Sequence, residues 1–141
     1  MIIDKTVVLV EDSPEDAELI KRAIEKSGFQ GEFKWFSNGP DALNYLSLKK
    51  DLAKLSVVIL DYKMDGLSGK DVLKQIRTNP ISKNLPVVML TSSDESSDVE
   101  ECYGLGVNSY VVKPNHFSQF KSVISHLSEY WVGINRAPNV G

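Results

Sequence analysis

One cysteine, Cys102, is all that 141 residues contain, so no internal disulfide can form and the fold must rest on its core. Basic charge is not in excess either: 16 Lys and Arg stand against 19 Asp and Glu, a net charge of −3. No block of lysines or arginines offsets this, so the electrostatic footprint of a nucleic-acid binder is lacking and no such partner is expected. Long apolar runs are missing as well. Nothing approaches the ~20 residues of a membrane-spanning helix or follows the basic start of a secretory signal, so we expect a cytoplasmic protein with no membrane partner. Repeats, linkers and low-complexity segments do not occur. What remains, 42% hydrophobic and 25% charged residues, is the composition of one ordinary globular domain. The body is expected over residues 1–131, with a tail over 132–141.

The chain is organised around Ser56-Val57-Val58-Ile59-Leu60-Asp61. Four branched aliphatics without polar alternation predict a strand buried on both faces, as in a parallel sheet covered by helices. Thr6 to Val10 repeats the pattern and ends in Glu11-Asp12; Pro86 to Thr91 repeats it and ends in three hydroxyls, Thr91, Ser92 and Ser93. Glu32 to Ser37, with Phe33, Trp35 and Phe36, predicts a shallower strand near a sheet edge. Tyr110-Val111-Val112 predicts a short fifth strand that ends at Lys113-Pro114.

Helices alternate with these strands. Ser13, Pro14 and Asp16 form a helix start, and Gly28 a stop, around Ala17, Ile20 and Ile24. Asn38-Gly39-Pro40 opens a second helix, whose inner face ends before Lys49-Lys50-Asp51. Ser68 and Asp71 cap a third that Asn79-Pro80 ends. Between Asp94 and Leu105 only Val99, Cys102, Tyr103 and Leu105 are apolar, so the fourth helix should be lightly anchored. The last starts near Asn115 and carries Phe117, Phe120, Ile124, Leu127 and Trp131 at spacings of three and four. Five strands alternating with five helices predict an α/β, flavodoxin-like doubly wound parallel sheet of order 2-1-3-4-5.

That order brings the ends of strands 1, 3, 4 and 5 together, and with them Glu11, Asp12, Asp61, Thr91 and Lys113. Carboxylates packed this closely repel one another unless a cation shares the site. Oxygen donors without His or Cys in these loops point to Mg²⁺ or a similar hard ion such as Mn²⁺ rather than zinc. An aspartate in such a site can accept a phosphoryl group, with Lys113 as a second positive charge and the Thr91 hydroxyl as a hydrogen-bond donor to it.

In this arrangement the chain resembles the receiver domain of two-component response regulators, of the single-domain type. The family has an acid pair after strand 1, a phosphoacceptor Asp after strand 3, Thr or Ser after strand 4 and Lys-Pro after strand 5. Glu11-Asp12, Asp61, Thr91 and Lys113-Pro114 stand at those places. The resemblance implies phosphotransfer from a sensor histidine kinase to Asp61. It implies a metal held by Asp12, Asp61 and the Lys63 backbone carbonyl, with Glu11 helping through water, and a cis Lys113-Pro114 bond. It also implies that Thr91 and Tyr110 act as the switch, and that the chain catalyses its own phosphotransfer and slow dephosphorylation without being a turnover enzyme. The Tyr130-Trp131 ending and long final helix are similar to regulators serving phytochrome-type kinases.

Two positions depart from the pattern. Asp65 follows Met64 where the family usually has Pro, and Ser92 stands where many members have Ala or Gly. Other classes remain open at this point. A haloacid-dehalogenase-type phosphatase needs an acid two residues after its aspartate, where this chain has Lys63. A flavodoxin-like cofactor binder would carry flavin absorbance. A degenerate receiver would act only as a protein-binding module, against which an intact Asp61 and Lys113 count. For output we expect a homodimer with Tyr130 and Trp131 in or beside the contact, and a downstream protein partner.

Overall fold

The computed structural model describes residues 5–48 and 52–138; Lys49-Lys50-Asp51 and the last three residues of the expected tail lie outside them. The elements follow in strict alternation: β1 (Thr6–Val10), α1 (Pro14–Lys26), β2 (Glu32–Phe36), α2 (Gly39–Leu46), β3 (Leu55–Leu60), α3 (Gly69–Thr78), β4 (Val87–Thr91), α4 (Ser96–Gly104), β5 (Ser109–Val112) and α5 (Phe117–Ser128). All pairings are parallel and the order is β2-β1-β3-β4-β5, the doubly wound sheet expected.

Period-two alternation along the strands divides the core into two layers. Val8, Val10, Val58, Leu60, Val87 and Met89 face Ala42, Leu46, Val72, Leu73 and Ile76 of α2 and α3, with Cys102 of α4. Val7, Leu9, Val57, Ile59, Val88 and Leu90 face Ala17, Ile20 and Ile24 of α1 and Phe120 and Ile124 of α5. Both faces of the central strands are therefore dry, which accounts for their unbroken apolar runs. β2 at the edge is only partly buried. Its Trp35 indole N–H donates to the Glu11 carbonyl at 2.8 Å, tying the edge strand to the loop after β1.

The caps form as the sequence implies. Ser13, Asn38 and Ser68 accept from the amides of Asp16, Asp41 and Asp71. α4 buries only Cys102 and has no side-chain cap, so it is the least anchored helix. Among the described residues no helix is long and apolar enough to cross a membrane, and every peptide bond is trans, Lys113–Pro114 included, against the cis bond that the resemblance implies.

The C-terminal boundary differs from expectation. A wider π-helical turn, Glu129–Ile134, continues α5 past residue 131. Val132 is buried in the α1–α5 layer, and its carbonyl accepts from the Lys5 ammonium. Helical structure thus runs to Ile134 and burial to Val132, which supplies one more apolar contact than the three-and-four spacing predicts.

Candidate functional site

Hydrogen bonding carries on one residue past each of three strand ends. The Glu11 N–H donates to Phe36 (3.0 Å), the Asp61 N–H to Val10 (3.0 Å) and the Lys113 N–H to Thr91 (2.7 Å), each to a backbone carbonyl. These bonds fix three backbones at the carboxyl edge of the sheet, where the connecting loops leave room for a ligand. The α3 start supports Asp61 from behind: a Cβ on Gly69 would lie 2.0 Å from the Asp61 carbonyl oxygen, and the Gly69 N–H donates to the Tyr62 carbonyl at 2.9 Å. No side chain fits at residue 69, a constraint that nothing in the local sequence announces.

Glu11, Asp12 and Asp61 each offer a carboxylate oxygen, all within 4.8 Å of one another. The Lys113 ammonium lies among acids, 2.7 Å from Glu11 Oε1, 2.9 Å from Asp16 Oδ2 and 3.5 Å from Asp61 Oδ2. Burial, opposed by the Lys113 hydrogen bond and reinforced by the charge of Asp61, pushes the Glu11 carboxyl up to about 7. Burial would lower the Lys113 ammonium, but its hydrogen bonds to Glu11 and Asp16 reverse this and hold it above its usual range. One lysine does not neutralise four acids. The donor set is all hard oxygen and carries surplus negative charge, which fits a divalent cation of the Mg²⁺ or Mn²⁺ type.

The loop after Asp61 closes over this cluster. The Lys63 N–H donates to Asp61 Oδ1 (3.3 Å), and its side chain is exposed. Gly66 takes a φ of +76°, as the Asp65-Gly66 turn requires. The Asp65 N–H donates to Asp12 Oδ2 at 3.3 Å, a bond that a proline at residue 65 could not make. The departure at this position therefore adds a tie across the site.

Thr91 is fully buried at the end of β4, its hydroxyl accepting from the Ser93 N–H (3.4 Å), while Ser92 is exposed. The half-buried Tyr110 donates its hydroxyl to the Ser93 carbonyl at 3.0 Å. Asp98 of α4 accepts from Ser93 Oγ (2.5 Å) and from the Tyr62 hydroxyl (3.1 Å), and Glu101 lies 3.3 Å from the Lys70 ammonium. The residue next to Asp61 is thus linked to α4 by side chains alone.

The expected interface residues are not equivalent. Tyr130 is 47% exposed, whereas Trp131 is only partly exposed, packs against the α1–α5 layer and meets the Tyr130 ring edge-on with centroids 5.0 Å apart. Phe117 is 58% exposed at the other end of α5. The surplus apolar residues of the last helix are therefore displayed at its two ends rather than as one stripe.

Sequence reasoning missed Asp16 as a partner of Lys113, because its role at a helix start already accounts for it. It also missed the Asp98 link, which joins residues far apart in the chain.

The sequence model for "Response regulator receiver domain" matches residues 7–125. The probable methanogenesis regulatory protein FilR2 of Methanothrix harundinacea is 38% identical over 94% of this chain and 86% of its own. Response regulator Rcp1 of Synechocystis is 28% identical over 91% and 89%. Its Mn²⁺-bound crystal structure has a TM-score of 0.86 at 28% identity, covering 95% of this chain and 99% of that one. The phosphorylated cyanobacterial phytochrome response regulator RcpA gives 0.88 at 29% identity over 96% and 99%.

Proposed function

The chain belongs to the response regulator receiver domain family, and from that premise we propose that it is a single-domain phosphorelay regulator whose phosphoacceptor is Asp61. The observation that carries this reading is the convergence on one strand-end carboxylate: Lys113 Nζ lies 3.5 Å from Asp61 Oδ2, and Glu11 and Asp12 offer oxygens within 4.8 Å. The donor is a phosphohistidine of a sensor histidine kinase, of the phytochrome type, as the likeness to RcpA supports. An Asp61 carboxylate oxygen attacks phosphorus as the histidine N–P bond breaks. The electron pair returns to the imidazole nitrogen, and an acyl phosphate remains on Asp61.

Asp12, Asp61 and the Lys63 backbone carbonyl would hold Mg²⁺, with Glu11 acting through water, and the bound ion would offset charge on the phosphoryl oxygens. Lys113 supplies a donor to one phosphoryl oxygen and the Thr91 hydroxyl to another. Lys63 stands where a turnover phosphatase needs an acid, which supports self-limited phosphotransfer rather than enzymatic turnover.

Recruitment of Thr91 to the phosphoryl group would release its bond to the Ser93 amide. Tyr110 and α4, both joined to that loop, would follow. The output is a homodimer, or contact with a downstream protein in the cytoplasm, with the exposed Tyr130 at or beside the contact and Trp131 supporting it from beneath. Phosphorylation by a small phosphodonor with Mg²⁺ tests the chemistry: wild type should take up one alkali-labile phosphate and Asp61→Asn none. Equal uptake by both would refute it. Sedimentation of wild type and Tyr130→Ala, with and without phosphodonor, tests the dimer; monomers throughout would leave the downstream protein as the output.

A further inference from the structure

Lys113 stands between α1 and the end of β5, and three carboxylates share its ammonium. Glu11 and Asp61 are buried, while Asp16 is at the rim, its side chain 38% exposed against 12% for the lysine. The three contacts are unequal. Glu11 and Asp16 accept at hydrogen-bond distance, 2.7 and 2.9 Å, whereas Asp61 Oδ2 lies at 3.5 Å. An ammonium has three N–H donors in tetrahedral array. Two are therefore committed, and Asp61 lies within ion-pair distance of the ammonium without a hydrogen bond to it.

Asp16 can play this part because its backbone is already fixed. Its N–H donates to the Ser13 cap at 3.3 Å, which leaves the carboxylate to project from the first turn of α1. Together with Lys113, Ser92 and Pro114 it lines an open cleft of about 340 Å³ beside the acid cluster. A lysine on a flexible four-carbon stem, held by Glu11 alone, could swing out into that cleft.

We propose that Asp16 is a positioning residue for Lys113. It pins the ammonium on its open side, so that Glu11 and Asp16 hold two donors and the third is kept facing Asp61 for a phosphoryl oxygen. Asp16 touches no reacting atom and acts only through the lysine. The inference rests on the reading of Asp61 as phosphoacceptor. A purely structural role exists alongside it, since an acid in the first turn favours the helix N-terminus. That role predicts an effect independent of residue 113.

The test has two arms. In metal-free protein, the Lys113 ammonium should give a resolved ¹⁵N–¹H signal protected from solvent exchange, and the signal should be lost in Asp16→Ala and kept in Asp16→Glu. In the second arm, phosphorylation by acetyl phosphate at saturating Mg²⁺ should slow about tenfold in Asp16→Ala, the loss of roughly one charge-assisted hydrogen bond. Asp16→Asn, which keeps an acceptor without the charge and guards against misfolding of the alanine variant, should fall between. In a Lys113→Met background the Asp16 substitutions should have no further effect.

Equal slowing in both backgrounds would overturn the proposal, as would wild-type rates in Asp16→Ala while wild type is labelled. Failure of wild type to be labelled would defeat the phosphoacceptor reading instead. The ammonium signal would then still decide whether Asp16 holds Lys113.

Discussion

Asp98→Ala should loosen α4 and little else. The helix buries one residue, Cys102, and lacks a side-chain cap, so its attachment depends on the Asp98 carboxylate, which accepts from Ser93 Oγ at 2.5 Å and the Tyr62 hydroxyl at 3.1 Å. Hydrogen bonds to a charged acceptor contribute about 1.5–3 kcal/mol each. Solvent reaches this half-buried side chain, so the pair should be discounted to about 2–3 kcal/mol in total. At about 1.4 kcal/mol per tenfold, local opening should rise about 30- to 150-fold. Native-state hydrogen exchange reads this directly, as faster exchange across Ser96–Gly104 with the buried amides of α1 and α5 unchanged. The Tyr62 phenol gives a second readout. Burial, with the hydrogen bond and charge of Asp98, pushes it up to about 12. A raised value means that neutral Tyr62 contributes stability fully present below ~10, the free tyrosine value, and lost as pH rises through about 12. Asp98→Ala should move the Tyr62 titration back toward ~10, narrowing that window. Unchanged exchange in α4, or uniform acceleration throughout the molecule, would refute the reasoning.

Arg77→Ala should destabilise the fold by about 2–4 kcal/mol in urea unfolding. Its guanidinium donates to the carbonyls of Gly106, Lys83 and Leu85 and to Asn108 Oδ1 at 2.8–3.0 Å, and Arg77→Lys should not restore that planar fork. Lys63→Ala should change the decay of the acyl phosphate several-fold, since the exposed side chain stands two residues past Asp61 at the mouth of the site; an unchanged half-life would make it a surface lysine. Asp12→Ala should weaken Mg²⁺ binding more than Glu11→Ala in a Trp35 fluorescence titration, because Glu11 is already engaged with Lys113. The opposite ranking would contradict the proposed ligand roles.

The sheet and its order were legible because burial on both faces leaves an unmistakable mark: Val7 to Val10 and Val57 to Leu60 admit no polar residue. Glu11, Asp61 and Lys113 were legible for the same reason, as the first polar residues after those runs. The weakness of α4 could also be read, from how few apolar residues it carries. What sequence could not yield are contacts between residues whose local roles are already satisfied. Asp16 is explained by the helix start and Ser93 by its loop, so neither advertises a partner. The Lys113–Asp16 bond spans 97 residues and depends on which way the long lysine side chain turns once the sheet is built. The π-helical turn breaks the three-and-four spacing and so hides the burial of Val132, one residue past the expected end of the body.

Borohydride reduction of the phosphorylated protein bears most directly on the central claim, since it converts an aspartyl phosphate to homoserine at the residue that carried it. After treatment with Mg²⁺ and a small phosphodonor, peptide mapping should find homoserine at residue 61 alone. Homoserine at Asp12, Asp16 or Asp65, or phosphate uptake with no homoserine anywhere, would contradict the account.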